Sequence, residues 1–335
     1  MRIAFVGKGG SGKTTLASLL SRHLAASGAP VLAIDADINQ HLAVALGLSH
    51  AEAARLPALG ERQREIKEWL RGSNPRIPSA DVMVKTTPPG RGSRLLRLDE
   101  GNPLFDELER AVGEVRLMVT GGFDEADLGV ACYHSKTGAV ELLLGHLVDG
   151  PGEYVVVDMT AGADCFASGL FAKFDLTLLV CEPTLKGVAV HRQFREYARD
   201  HRLNLRVVGN KVHDAEEVAF LRRELGDDLL VCAPQSAAVR AMERGAALRL
   251  ETLEPEMAGA LEEMRRAVDA TSKDWETYQR DAVDFHVRNA LSWANTQVGV
   301  DLTLQIDPEF TMPPASRDGG TRTETRAKEL PCPSR

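Results

Sequence analysis

Nine consecutive residues carry the clearest chemistry in the chain. Gly7-Lys8-Gly9-Gly10-Ser11-Gly12-Lys13-Thr14-Thr15 places four glycines and two lysines between an apolar run, Arg2-Ile3-Ala4-Phe5-Val6, and a helical pattern that opens at Thr15-Leu16-Ala17. Glycines allow successive backbone N–H groups to turn inward, and the helix start adds its positive dipole end, so such a loop is an anion cradle. Gly9, Gly10, Ser11, Gly12 and Thr15 are the expected lining. Lys13 supplies a point charge to the phosphates, and the Thr14 hydroxyl is placed to reach Mg²⁺. Lys8 adds a cation that an ordinary phosphate loop lacks. The spacing predicts a cradle for Mg-bound nucleoside triphosphate, with Lys8 and Lys13 as candidate catalytic groups.

Three carboxylates sit where strand-like runs end. Asp158 closes Tyr154-Val155-Val156-Val157, and a carboxylate there can hold the Mg²⁺ shell while Gly162 gives a turn able to respond to the last phosphate. Asp35 and Asp37 close Val31-Leu32-Ala33-Ile34, two residues apart, and share a face if the strand continues. One of the two can orient or activate the attacking water and the other can support Mg²⁺, with Asp35 and Asp37 both candidates. The alternative is a pair of loop carboxylates capping a helix from Asn39 to Gly47. Asn210-Lys211 follows another run, where a side-chain amide can pair with a purine edge, and Pro234 follows the next. A turn-forming Asn is the competing reading. Cys132 and His134 lie two apart before a helical run from Ala139 to Leu147, able to reach one soft divalent ion such as Ni²⁺ or Zn²⁺, with a two-fold dimer doubling the set to four. A buried thiol and a histidine at a helix start fit the same residues.

These groups need a scaffold. The short runs named above, with Val115-Arg116-Leu117-Met118-Val119, Leu176-Thr177-Leu178-Leu179-Val180, Leu205-Arg206-Val207-Val208 and Leu229-Leu230-Val231, are rich in β-branched residues and not strictly alternating. That is the pattern of strands covered on both faces, and it predicts an α/β fold with a doubly wound, mostly parallel sheet flanked by helices. In such sheets ligands sit beyond the carboxyl ends of the strands, which is where the polar residues cluster. The expected organisation is a nucleotide-binding domain over residues 1–250. Within it, 49–113 reads as an inserted subregion of short helices plus a hairpin-like pair. A charged helical extension follows over 251–306, then a disordered tail over 307–335.

A chain of 335 residues with 44% hydrophobic content can bury a large core. Its net charge of −8 argues against broad attraction to nucleic acid or anionic lipid, and the C-terminal helices lack the basic, bulky-faced pattern of a membrane-surface helix. No signal-like start and no run of 18 apolar residues occurs, so a cytoplasmic location is expected, with the five cysteines reduced.

Lys8 to Thr14, together with Asp35-Ala36-Asp37 and Asp158-x-x-Ala161-Gly162, resembles the deviant Walker A ATPases. This superfamily includes the Min and Par positioning ATPases, the nitrogenase iron protein, the arsenite-pump ATPase and the metallocentre-maturation ATPases. The match runs in order from about Arg2 to Arg249. Within the superfamily, Leu32 to Asp37, Gly129-x-x-Cys132, Val157 to Asp164 and Asn210-Lys211-Val212 are most similar to the nickel-insertion accessory ATPases of carbon monoxide dehydrogenase. The resemblance implies ATP and Mg²⁺ as cofactors and an ATP-dependent homodimer in which Lys8 reaches the partner's phosphates. It also implies that Asp37 acts on the water and that turnover switches a surface for a client protein. Members of the nickel group carry Cys-x-Cys where this chain has Cys132-Tyr133-His134, so His134 would have to replace a thiolate. A positioning or scaffold ATPase, and a partner whose nucleotide state is the signal, are the competing functions.

Overall fold

A computed structural model describes residues 1–122, 133–162, 166, 169–199, 201 and 203–313, with nothing said of the side chains of 133–135. The strands are β1 (Arg2–Gly7), β2 (Val31–Ala36), β3 (Leu96–Arg97), β4 (Arg110–Val112), β5 (Val115–Val119), β6 (Leu147–Val148), β7 (Tyr154–Met159), β8 (Leu176–Cys181), β9 (Leu205–Val212) and β10 (Leu229–Pro234). Eight of them form one sheet in the order β10-β9-β8-β1-β7-β2-β5-β4. Every pairing in it is parallel except β4 with β5.

The near-continuous apolar strands are explained by burial on both faces. Along β1, Ala4 and Val6 enter one core and Ile3 and Phe5 the other. The first helix, α1 (Lys13–Ala25), lays Leu16, Leu19, Leu20 and Leu24 on one face of the sheet. This is the three-and-four spacing of an amphipathic helix. After α2 (Leu42–Leu46), α3 (His50–Ala53), α4 (Gln63–Arg71) and α5 (Pro103–Leu108), the helix α6 (Tyr133–Gly145) covers the opposite face, joined there by α7 (Leu185–Tyr197) and α8 (Ala215–Leu225). Two neighbouring strands at the centre, β1 and β7, send the chain in opposite directions, to β2 and to β8. Such a switch point opens a crevice at the carboxyl ends.

The stretch from 49 to 113 holds α3, α4, α5 and β3, but β3 pairs in parallel with the distant β6. The expected hairpin lies at its end instead, as β4 against β5, with Val112 opposite Val115. A two-residue link at Gly113-Glu114, with Gly113 at φ +60°, allows this turn. After α9 (Ala237–Met242), α10 (Pro255–Asp269) packs on α1 and β10, and α11 (Trp275–Asn289) packs on the other side against residues 169–173. Beyond Asp307, where composition predicts disorder, the chain stays packed to the end of the described residues. Asp307 accepts hydrogen bonds from Arg91, and Met312 is buried with its N–H donated to Gln279. No helix among the described residues is long and apolar enough to cross a membrane.

Candidate functional site

β1 delivers the glycine-rich loop to the crevice. Gly7 has φ +144°, and a Cβ there would lie 2.5 Å from the Val180 carbonyl oxygen, so the close β1–β8 contact excludes a side chain. Gly12, at φ +96°, is the residue that turns the chain into α1. The two lysines are placed differently: Lys13 is only 5% exposed, whereas Lys8 stands exposed with Gly9 and Gly10. The Ser11 hydroxyl is buried without a hydrogen-bond partner, at the base of the cradle.

The sheet register brings the carboxylates to this loop. Asp35 on β2 lies directly opposite Asp158 on β7. The Thr14 hydroxyl donates to Asp158 Oδ2 at 2.6 Å, while Asp158 Oδ1 is buried without a partner. Burial pushes the Asp158 carboxyl up to about 7, with the Asp37 charge adding to the rise and the Thr14 hydroxyl and Lys13 opposing it. Burial and the facing Asp158 also hold Asp35 well above the usual carboxylate range. Thr14 and Asp158, two of the three expected Mg²⁺ residues, therefore form one constellation with an oxygen to spare. Asp35 is placed otherwise. Its Oδ2 accepts the Leu42 N–H at 2.8 Å, at the first residue of α2, and its Oδ1 accepts the Asp37 N–H at 3.1 Å. Backbone donors thus reach both oxygens of Asp35, which is fully buried at the end of β2 and ties α2 and the Asp37 turn to the strand. Asp37 is buried, and its Oδ1 accepts from the Asn39 backbone and side chain at 2.9 and 3.0 Å.

Asn210 and Lys211 reach the loop from behind. Asn210 donates its amide to the Ser11 carbonyl at 2.7 Å, and Lys211 Nζ donates to the Gly10 carbonyl at 2.5 Å and to Glu182 Oε1 at 2.8 Å. Lys211 adopts φ +59°, a left-handed conformation rare outside glycine, so this clamp is held against backbone strain. Both residues, with Thr15, Pro234 and Glu243, line a cleft of about 30 Å³ beside the loop. That is room for about one water.

Gln40 and Glu182 belong to none of the motifs that mark the site in the sequence. Gln40 (φ +51°) donates to the Asp37 carbonyl at 2.5 Å and accepts the Gly121 N–H at 3.1 Å, tying the Asp35–Asp37 turn to the end of β5. Cys132 and the His134 side chain lie outside the described residues.

The raised Asp158 carboxyl gives a pH prediction. Between the ordinary carboxylate value of about 4 and about 7, the folded protein keeps a proton that the unfolded chain releases. Its stabilisation is complete below about pH 4 and is lost as pH rises through about 7. A cation at Thr14 and Asp158 needs the ionised form. Calorimetry of Mg-nucleotide binding in buffers of differing ionisation enthalpy is expected to show proton release at about pH 6 that fades by about pH 8. Identical heats across buffers at pH 6 would contradict a protonated Asp158.

Comparison with known proteins gives consistent results. The family model described as the CobQ/CobB/MinD/ParA nucleotide binding domain matches residues 3–248. An uncharacterized ATP-binding protein of Methanocaldococcus jannaschii is 31% identical over 238 residues, 70% of this chain and 85% of that protein. The carbon monoxide dehydrogenase accessory protein CooC of Rhodospirillum rubrum is 30% identical over 252 residues, 73% of this chain and 87% of that one. Among solved structures, the septum site-determining protein MinD complexed with Mg-ADP from Pyrococcus horikoshii superimposes with a TM-score of 0.53 at 16% identity, covering 80% of this chain and 96% of that one.

Proposed function

The chain belongs to the CobQ/CobB/MinD/ParA nucleotide-binding family, and from that premise we propose that it is a Mg-dependent ATPase acting as an ATP-driven dimeric switch that assists maturation or metal loading of a client enzyme. The observation that carries this reading is the division between the two loop lysines. Lys13 is almost fully buried, while Lys8 is exposed, which suits it to meet a triphosphate held by a second copy. The accessory protein CooC, similar along most of its length, supports the client-directed role.

In this reading the backbone of Gly9 to Thr15 wraps the phosphates, with Lys13 on the phosphates nearest α1. Thr14 and Asp158 hold Mg²⁺, which fits the partnerless Asp158 oxygen and supplies positive charge to the phosphates when bound. Asp35 keeps α2 and the Asp37 turn in place, and Asp37 orients the attacking water. Asn210 and Lys211 brace the loop, and the cleft they line with Pro234 is where the base would lie, with Asn210 as its side-chain contact. ATP-dependent pairing exposes or hides the client surface, and the Cys132–His134 segment is where a soft ion such as Ni²⁺ or Zn²⁺ would be carried. A cytoplasmic setting suits this function. The positioning-ATPase alternative has the MinD-like fold in its favour, and ATP-dependent co-sedimentation with DNA or liposomes would support it.

The test separates the lysines. Lys8→Ala is expected to bind Mg-ATP within about threefold of the parent, yet to lose hydrolysis by about a thousandfold or more, the scale set by a single trans-acting cation on a transferring phosphoryl group. Analytical ultracentrifugation should show no ATP-dependent dimer for this variant. Equal dimerisation with and without an ATP analogue, in parent and variant alike, would defeat the switch. An Asp37→Ala form, stalled with ATP, is the bait with which to retain the client.

A further inference from the structure

At the amino ends of β8, β9 and β10, the far side of the sheet from the glycine-rich loop, lies a groove of about 760 Å³. Its roof is the corner where α10 passes into α11, which the nucleotide chemistry does not use. The volume is that of a small-molecule site. Phe171, Phe174 and Tyr278 provide apolar walls, and the groove is as polar as it is apolar elsewhere.

The charges on its walls decide what it can hold. Each carboxylate is already partnered: Asp175 by Lys273 at 2.7 Å, Glu263 by Arg266 at 3.0 Å, Asp281 by Arg280 at 3.2 Å, and Asp274 by the Thr277 N–H at 2.9 Å. Arg206, at the start of β9, is different. Its Nε is buried and has no hydrogen-bond partner, and it makes no ion pair among the described residues. A buried guanidinium N–H left without an acceptor costs free energy comparable to a lost charge-assisted hydrogen bond. With the acids partnered and Arg206 lining the groove without an ion pair among the described residues, the unmet requirement of the groove is for an anion.

We propose that this groove binds a small amphipathic organic anion, its carboxylate, sulfonate or phosphate group on Arg206 and its apolar body against Phe171, Phe174 and Tyr278. The site is separate from the nucleotide crevice and is built by the C-terminal helices, so it gives those helices a ligand-binding role.

Anilinonaphthalene sulfonate is the probe, with phenylnaphthylamine as the same skeleton lacking the anion. Fluorescence titration of the full chain, saturated with Mg-ATP, should show one sulfonate bound per chain. Arg206→Gln should weaken it at least tenfold, Arg206→Lys should recover part of the loss, and Asp281→Asn should leave it unchanged or tighter. Phenylnaphthylamine should bind parent and Arg206→Gln alike. Retained Mg-ATP affinity and an unshifted melting temperature show that the variants remain folded. No binding, displacement by Mg-ATP, or equal loss of both probes in Arg206→Gln would each overturn the proposal.

Discussion

Lys13→Ala is expected to lose nucleotide binding altogether within the range of calorimetry. The ammonium sits at the first residue of α1 and is almost fully buried, so water does little to screen it from a phosphate in the loop. Two unit charges about 4 Å apart, at the effective dielectric of such a site, attract by about 4 kcal/mol. This corresponds to roughly a thousandfold in the dissociation constant. A second effect has the same sign. Lys13 is one of the groups that restrain the rise of the Asp158 carboxyl, so removing it makes that carboxyl harder to ionise and Mg²⁺ harder to hold. The backbone cradle remains, because Gly7 and Gly12 set its shape. Titration with Mg-ATP is the measurement, alongside a melting curve to show that the sheet is intact. A dissociation constant within tenfold of the parent would mean that the phosphates do not rest on this loop.

Much of the sheet was legible because each strand's composition is dictated by burial on both faces. Val155, Val156 and Val157 must be apolar whichever way they point, since one face meets α1 and the other meets α6, and only the residue after them is free to be Asp158. The loop was legible for a related reason: Gly7 and Gly12 answer to local backbone geometry, which the sequence carries directly. What escaped was settled by distant contacts. Asp35 and Asp37 look equivalent in the chain, but the fold of α2 brings the Leu42 N–H onto Asp35 and so separates their placements. The grip of Lys211 on Gly10 depends on a loop 201 residues away and on Glu182, and nothing near Lys211 announces it. β3 was invisible because its partner is β6, two residues long and beyond α5, β4, β5 and α6. Of the stretch after Asp307, residues 308–313 are held by contacts that composition does not carry, through Arg91 on Asp307 and Gln279 on Met312.

The same logic of distant partners predicts the largest loss of stability. Asp149 is fully buried, and it accepts from Arg2 Nε at 2.7 Å and from Lys273 Nζ at 2.6 Å. Lys273 also reaches Asp175 at 2.7 Å, and the Arg2 guanidinium lies 4.6 Å from the Tyr278 ring centroid. One carboxylate thus joins the first strand, the turn before β7 and the α10–α11 link. Burial alone would raise the Asp149 carboxyl, but Arg2 and then Lys273 outweigh it and hold the group far below the usual carboxylate range. Asp149→Ala takes the shared carboxylate from Arg2, Lys273 and the Met1 amino group, leaving Lys273 only Asp175, and breaking a buried pair in this way costs about 3–5 kcal/mol. Glu262→Ala, which breaks a half-exposed pair with Arg265 on α10, is the comparison and is expected to change little. Because the Asp149 carboxyl is depressed in the fold, its contribution is present above about pH 4 and is lost as pH falls further. Denaturation of Asp149→Ala should therefore show a deficit that is large at neutral pH and shrinks in acid. Fluorescence of Trp275, whose ring lies 4.9 Å from Lys273 Nζ, should report loosening of α11 before the sheet unfolds. An unchanged denaturation midpoint would mean that Arg2 and Lys273 find other acceptors, and that the C-terminal helices are held by apolar packing alone.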